Sequence, residues 1–171
     1  LTETDEGRAI GLSYFKERGF REDIIEKFGL GYSPEKRDAL AEAAKKGGYN
    51  KDYLIKTGLC IESQDGSSLI DRFRGRVIFP VYSLAGKVIA FGGRILKTND
   101  KTAKYLNSPE SEVYHKSNVL YGIYHAKGAM VKQNNCFLVE GYTDVLSMHQ
   151  AGIENVVASS GTSLTEGQIR L

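Results

Sequence analysis

Two carboxylates, Glu140 and Asp144, lie in the stretch FLVEGYTD, directly after an apolar run. The run at residues 136–139 is typical of a buried strand, and Gly141 permits an immediate turn into the next segment. An unpaired carboxylate is costly to bury, so we expect Glu140 at the rim of a sheet. Asp144, one helical turn further on, would face the same rim. Two carboxylates there suit a hard cation such as Mg²⁺.

The same spacing also has a structural interpretation. A carboxylate at the start of a helix interacts favourably with the amide groups of the first turn, so Glu140 could cap the following helix. No third acidic residue lies close enough in sequence to decide between the two interpretations. The metal ligand and the helix cap therefore both stay open at this point.

A second group of functional candidates is basic. Segment 70–104 contains eight basic residues against two acidic ones, which gives +6 in a chain whose net charge is +2. The basic residues are Arg72, Arg74, Arg76, Lys87, Arg94, Lys97, Lys101 and Lys104. Such a segment indicates an anionic partner, either nucleic acid or nucleotide phosphates. The alternative is a solvated charged surface.

Within this segment, two positions combine charge with other binding chemistry. Arg94 follows two glycines at the end of a predicted strand, which brings a guanidinium and bare backbone to one place. Lys104 and Asn107 lie in KYLNSP, a mixture that can hold phosphate, stack on a base and donate to a sugar. Alternatively, Arg94 pairs with a surface carboxylate, and YLNSP is only a turn closed by Pro109.

The elements before the acidic stretch are helices followed by a hairpin. The spacing of apolar residues predicts three helices, in ETDEGRAIGLSYFKERGF, REDIIEKFGLGYSP and EKRDALAEAAKKGG, each ended by glycine. Residues 77–82 and 87–91 predict two antiparallel strands, with Pro80 at an edge or bulge. Residues 97–111 are polar and predict a loop, and NVLYGIYHAKGAMVKQN predicts a helix ending near Gln133.

The last forty residues alternate between strand and helix. Runs at 136–139 and in ENVVASSG predict parallel strands covered on both faces, joined by a helix that ends at Gly152. A final helix has Ser163 or Thr165 as its N-cap. The fold class is therefore α+β: a mixed helical and antiparallel-sheet region, then a parallel βαβ unit. Two parallel strands are unstable alone, so we expect a piece of a longer protein.

Six blocks together resemble, in order and spacing, the catalytic core of bacterial DnaG-type primases. They are DRFRGRVIFPV, GKVIAFGGRIL, KYLNSPES, HKSNVLYG, VEGYTDVLS and VVASSGTSLT. The resemblance extends over nearly the whole chain. It implies a basic N-terminal subdomain at residues 1–132 and an incomplete TOPRIM domain, a metal-binding fold shared with topoisomerases, at residues 133–171.

The resemblance also implies roles for individual residues. Glu140 matches the glutamate that acts in nucleotidyl transfer, and Asp144 matches a further acidic position of the same metal-binding motif. The groove for template and nucleotides would be lined by Arg18, Arg94, Lys104, Asn107 and Lys116. The family pattern continues with an Asp-x-Asp pair that is absent up to Leu171, so we expect these 171 residues to be inactive alone.

The function implied is synthesis of short RNA primers on single-stranded DNA from ribonucleoside triphosphates, with Mg²⁺ or Mn²⁺. A replicative helicase would bind, and zinc would be held, in modules outside this chain. A non-catalytic module that binds single-stranded DNA is the alternative. A topoisomerase or nuclease relative is disfavoured by the primase-like blocks before Glu140.

The sequence gives no indication of a membrane partner. No apolar run approaches the roughly 20 residues that a membrane span requires. The N-terminus has neither the basic start nor the apolar centre of a signal peptide. We therefore expect a cytoplasmic, replisome-associated bacterial protein, with Cys60 and Cys136 as packing residues.

Overall fold

The computed structural model describes residues 1–97, 102–159 and 163–171. A π-helical turn at Gly7–Leu12 continues directly into the first α-helix. The α-helices are α1 (Ser13–Glu17), α2 (Glu22–Lys27), α3 (Ala39–Lys46), α4 (Lys51–Lys56), α5 (Ile123–Gln133), α6 (Tyr142–Gln150) and α7 (Glu166–Ile169). The strands are β1 (Gly31–Ser33), β2 (Cys60–Glu62), β3 (Leu69–Asp71), β4 (Arg76–Tyr82), β5 (Val88–Ile95), β6 (Tyr105–Asn107), β7 (Phe137–Val139) and β8 (Val156–Ala158). A 3₁₀ turn lies at Lys116–Asn118.

The main sheet has four antiparallel strands in the order β1-β4-β5-β6. Its centre is the predicted hairpin, now β4 and β5, and the three predicted helices before it are confirmed as α1, α2 and α3. The prediction of a loop throughout residues 97–111 is wrong, because β6 pairs with β5 there. Its part at 98–101 lies outside the described residues.

Pro80 fits into this sheet because the neighbouring strand stops short of it. The first residue of β1, Gly31, pairs with Ile78, two residues before the proline. A shift of register with β5 also occurs between Val81 and Tyr82. The predicted edge or bulge position of Pro80 is confirmed, since a proline cannot donate a ladder hydrogen bond.

The C-terminal part has the predicted parallel arrangement. β7 pairs in parallel with β8 and is joined to it through α6, and Thr165 is the N-cap of α7. The prediction that both strands are covered is wrong for β7, where Phe137 and Leu138 are 48% and 49% exposed. Cys136 is exposed and is not a packing residue, whereas Cys60 is buried.

One aromatic core joins the two parts of the molecule. Phe15, Phe28 and Phe79, from the helices and the antiparallel sheet, belong to the same buried cluster as Tyr142 and Val145 of α6. The rings of Phe79 and Tyr142 stack with their centroids 5.0 Å apart. This packing fixes the position of α6, and so of the turn before it, relative to the sheet. No described helix is long and apolar enough to cross a membrane.

Candidate functional site

The turn between β7 and α6 separates the roles of its two carboxylates. Asp144 Oδ2 accepts a hydrogen bond from the backbone N–H of Gly141 at 3.0 Å, so Asp144 caps α6. Glu140 is exposed and has no hydrogen bond or ion pair with any described residue. Among the described residues, Glu140 therefore makes no hydrogen-bonded cap of α6. Its carboxylate stays available to a ligand from solvent.

Tyr142 attaches this turn to the antiparallel sheet. A Cβ atom at Gly92 would lie only 2.5 Å from the Tyr142 ring, so glycine permits the close approach of α6 to β5. The Tyr142 hydroxyl donates to Asn107 Oδ1 on β6 at 2.7 Å. Since that bond uses the amide oxygen of Asn107, the amide nitrogen is left as the donor that Asn107 can offer to a ligand.

Two of the predicted basic residues meet at a shared aromatic ring. The guanidinium carbons of Arg18 and Arg94 lie 4.8 Å and 5.2 Å from the centroid of the Tyr14 ring. Arg94 also lies 5.9 Å from the ring of Tyr105, its cross-strand neighbour on β6. Cation–π contacts of this kind orient a guanidinium without neutralising its charge.

The polar atoms of Arg94 are unusually free of partners. Among the described residues, its buried Nε and Nη1 atoms have no hydrogen-bond partner, and no carboxylate forms an ion pair with it. The alternative in which Arg94 pairs with a surface carboxylate is thereby excluded for the described residues. Buried donors of this kind normally find a partner, so their orphaned state favours an anionic ligand.

β6 presents the remaining candidates of this group. Lys104, exposed, precedes the strand, and its carbonyl accepts from the N–H of Ile95 at 3.0 Å. At the far end, Ser108 donates its N–H to the Phe91 carbonyl and accepts the Phe91 N–H at its hydroxyl. The segment KYLNSP is therefore not only a turn: it contains a strand that is hydrogen-bonded to β5.

Lys116 lies in the 3₁₀ turn that follows β6 in the chain. It begins the 3₁₀ turn, where its carbonyl accepts from Gln168 Nε2 at 3.1 Å and its N–H donates to Glu110 at 2.9 Å. The same Gln168 nitrogen donates to the Val119 carbonyl at 2.9 Å. In the part of the chain that the structure describes, no hydrogen bond or ion pair joins the Lys116 side chain to the other candidates.

Sequence reasoning missed the residues that hold the site together. Tyr14 lies in the first predicted helix and Tyr142 in the stretch FLVEGYTD, and neither is a candidate by its spacing. In the structure, the Tyr14 ring contacts Arg18 and Arg94, and the Tyr142 hydroxyl binds Asn107. The glycine pair before Arg94 was the available signal. Adjacent glycines in a strand indicate that other groups approach its backbone closely on both faces.

The acidic residues present give only part of a metal site. Across residues 1–97, 102–159 and 163–171, no group of three or more His, Cys, Asp or Glu side chains is arranged to hold a metal ion. Glu140 and Asp144 nevertheless offer the oxygen donors that Mg²⁺ and Mn²⁺ prefer. Their chemistry fits a divalent cation that also takes ligands from elsewhere.

Comparison with known proteins identifies the family. The family described as "DNA primase catalytic core, N-terminal domain" matches residues 1–127. The chain belongs to the DnaG-type DNA primases. A second family, described as Toprim-like, matches residues 137–171, and Toprim domains of primases in general depend on divalent metal ions.

Relatives among the DnaG-type primases are similar over nearly all of the chain. The DNA primase of Halalkalibacterium halodurans is 45% identical over 168 residues, which cover 98% of this chain and 28% of that protein. The DNA primase of Clostridium acetobutylicum is 46% identical, over 92% of this chain and 26% of that protein. The chain therefore spans only about a quarter of the length of these relatives.

Solved primase structures have the same fold. The RNA polymerase domain of Mycobacterium tuberculosis primase DnaG superposes with a TM-score of 0.89 at 37% identity, covering 98% of this chain and 54% of that one. A DnaG primase catalytic domain bound to single-stranded DNA gives 0.81 at 39% identity, with coverages of 94% and 51%. The α+β fold class with a partial Toprim unit is confirmed.

Proposed function

We propose that this chain is the part of a primase catalytic core that binds single-stranded DNA template and ribonucleoside triphosphates. The whole protein then synthesises short RNA primers for replication by nucleotidyl transfer. The observation that carries this proposal is the hydrogen bond between Tyr142 and Asn107. It keeps the acidic turn of Glu140 at a fixed position beside the strand that bears Lys104 and Asn107. Primase relatives and the DNA-bound primase domain support it.

The basic residues provide charge and orientation for the anionic ligands. Arg94, whose charge no described carboxylate neutralises, binds phosphate oxygens, and Arg18 adds a second positive charge at Tyr14. Tyr105, 41% exposed, offers a ring on which a base can stack. Lys104 contacts phosphate, and the amide nitrogen of Asn107 donates to a sugar or base edge. Lys116 contacts the ligand from its separate turn.

The acidic residues serve the reacting end of the nucleotide. Glu140, and Asp144 through the oxygen that does not cap α6, would hold a divalent cation, Mg²⁺ or Mn²⁺. When bound, that cation supplies neutralising charge at the phosphate under attack. The zinc-binding module and the helicase contact remain predictions about the whole protein, as does its place in the cytoplasm at the replisome.

We place the boundary between the basic subdomain and the TOPRIM domain at residues 132 and 133. The two family matches, to residues 1–127 and 137–171, leave this point between them and support it. It coincides with the end of α5 at Gln133 and precedes β7. Because the aromatic core crosses this boundary, we expect the two parts to unfold together.

The decisive experiment compares Glu140→Gln with the wild type in the full-length parent protein. We expect loss of metal-dependent primer synthesis by at least about a hundredfold, with unchanged affinity for single-stranded DNA. Glu112→Gln, at another exposed glutamate, is the matched control and should be fully active. Primer synthesis at the wild-type rate by Glu140→Gln would show that this carboxylate has no part in the reaction.

The alternative is a module that binds single-stranded DNA while another protein performs the chemistry. The orphaned donors of Arg94 favour binding equally well under both functions. Residues 1–171 alone should bind a single-stranded oligonucleotide without forming dinucleotides. If the full-length parent also binds but makes no primer with Mg²⁺ or Mn²⁺, the binding module is the better description.

A further inference from the structure

β6 is a short edge strand that must hold two ligand contacts in place. It has only three residues and, among the described strands, pairs only with β5. Its end at Asn107 is fixed by Tyr142 and by the exchange of hydrogen bonds between Ser108 and Phe91. A three-residue ladder alone does not hold a strand end rigidly, so the end at Lys104 needs a second support.

Arg76 supplies that support from two strands away. It lies on β4 and is only 5% exposed. Its Nη1 atom donates to the carbonyls of Gly93 and Lys104, both at 3.3 Å, and Nη2 donates to the carbonyl of Ala103 at 3.0 Å. The guanidinium thus reaches past β5 and binds the backbone that leads into β6.

The adjacent glycine makes this reach possible. A Cβ atom at Gly93 would lie 3.0 Å from Arg76 Cδ and 2.7 Å from the Phe73 ring. Gly92 leaves space for Tyr142 in the same way, so the two glycines admit one support for each end of β6. The two glycines therefore make room for the side chains that hold Lys104 and Asn107 in place, in addition to preceding Arg94 in the strand.

The charge of Arg76 is held only by backbone carbonyls. Among the residues that the structure describes, no carboxylate forms an ion pair with it. Burial of a neutral side chain at this position would have a much lower free-energy cost than burial of a charged one. Arginine is suited to this task because its planar fork can donate to two neighbouring carbonyls at once, which a lysine ammonium cannot do in the same geometry. This arrangement indicates that the backbone at residues 103–104 must be held at a fixed position.

We propose that Arg76 is a positioning residue for Lys104: by holding the carbonyls of Ala103 and Lys104, it keeps the Lys104 ammonium where it contacts the phosphates of the bound strand or nucleotide. The inference rests on the proposed function, since it requires Lys104 to contact an anionic ligand. Arg76 itself is buried and does not touch the ligand. The carbonyls of Ala103 and Lys104 lead into β6, whereas that of Gly93 lies within the β4–β5 ladder. We therefore expect removal of Arg76 to act chiefly through Lys104.

The test is a double-mutant cycle on DNA binding by the 171-residue chain. Anisotropy of a labelled single-stranded oligonucleotide gives the affinity over a series of salt concentrations. Lys104→Ala should weaken binding about three- to tenfold and reduce the salt slope by about 0.7, the value for one lost contact to a single strand. Arg76→Gln should produce the same loss of slope, and the double variant should be no weaker than Lys104→Ala.

Two controls separate positioning from general loss of stability. Val81→Ala removes core volume at the far end of β4 and should lower stability while leaving affinity and salt slope unchanged. If Arg76→Gln does not fold, Arg76→Lys replaces it, since lysine keeps the charge and can reach one carbonyl. The same coupling with Lys104→Ala is then expected.

The results distinguish the positioning role of Arg76 from the proposed function on which it rests. If Lys104→Ala weakens binding and the folded Arg76 variant binds like wild type, the positioning role is wrong and the proposed function stands. Additive losses in the double variant would also overturn it, because Arg76 would then act independently of Lys104. If the wild-type chain does not bind the oligonucleotide, or Lys104→Ala binds as well as wild type, the proposed contact fails and the role of Arg76 fails with it.

Discussion

At Gly92, the absence of a side chain decides how closely α6 can approach the sheet. Alanine there would place a methyl carbon 2.5 Å from the Tyr142 ring, which is itself stacked on Phe79. We expect Gly92→Ala to lower the free energy of unfolding by about 1–3 kcal/mol, the usual cost of overpacking, and to weaken DNA binding. Gly128→Ala, in α5 with nothing within 4 Å, should instead stabilise by about 0.5–1 kcal/mol. Urea unfolding measures both.

The hydroxyl of Tyr142 has an effect separable from its ring. Tyr142→Phe keeps the stacking on Phe79 and removes the donor to Asn107 Oδ1. We expect a loss of about 1 kcal/mol in the free energy of unfolding and severalfold weaker binding of nucleotide, because the Asn107 amide is no longer oriented. Tyr124→Phe, at an exposed ring, is the control and should change neither. An unaltered affinity in Tyr142→Phe would argue against the orienting role of its hydroxyl.

Among single residues, the charged candidates could be identified from the sequence, whereas the aromatic residues that hold them could not. Arg18 and Arg94 were assigned to one groove through the family resemblance, and the structure brings them to the same ring. The ring itself, Tyr14, could not be found from spacing, because its contact with Arg94 joins positions eighty residues apart in sequence. Only packing of α1 on the sheet creates that neighbourhood.

Helices and strands could be predicted where an apolar pattern or run extends over several residues. The β4–β5 hairpin, α5, α6 and the Thr165 cap all follow from patterns of several residues. β1, β6 and the β2–β3 hairpin have strands of three residues, too short to show a period of two. β7 and β8 are equally short, but each is a continuous apolar run, which is why they could be predicted. Tertiary pairing, not local preference, makes these strands.

One element depends on a single buried carboxylate from another. Asp71 at the end of β3 is 1% exposed and accepts the backbone N–H groups of Leu40 at 2.6 Å and Ala41 at 3.0 Å, at the start of α3. Asp71→Ala leaves those amides without an acceptor, and we expect a loss of about 1–3 kcal/mol. Hydrogen exchange should accelerate first in α3. Asp52→Ala, at an exposed carboxylate of α4, should leave α3 protected as in the wild type.

For the molecule as a whole, two core histidines link stability to pH. His125 and His149 have ring centroids 6.4 Å apart and pack around Phe28. The pKa of each imidazole is lowered to about 4, mainly by burial. The charge of His149 adds to the lowering at His125, Lys27 adds to it at both rings, and Glu154 opposes it. The unfolded chain therefore binds protons between pH 4 and about 6.5 that the folded chain does not.

The sign of this linkage gives a prediction. Stability should be complete above about pH 6.5 and fall as the pH decreases towards 4, by at most about 3 kcal/mol for each histidine. Urea unfolding across this range measures the slope, and His149→Leu should flatten it. Val81→Ala, which removes core volume and no titrating group, should lower stability and leave the slope as it is. Equal slopes in the His149→Leu variant and the wild type would rule out titration of His149 as the cause.

The exposure of β7 has a consequence for handling the 171-residue chain in solution. Among the described strands it pairs only with β8, and the adjacent Phe137 and Leu138 expose apolar side chains on its two faces. Edges of this kind recruit strands from other molecules, so purified chains should self-associate as concentration rises. Titrations should be made at low protein concentration, and light scattering alongside them would distinguish DNA binding from clustering of the protein.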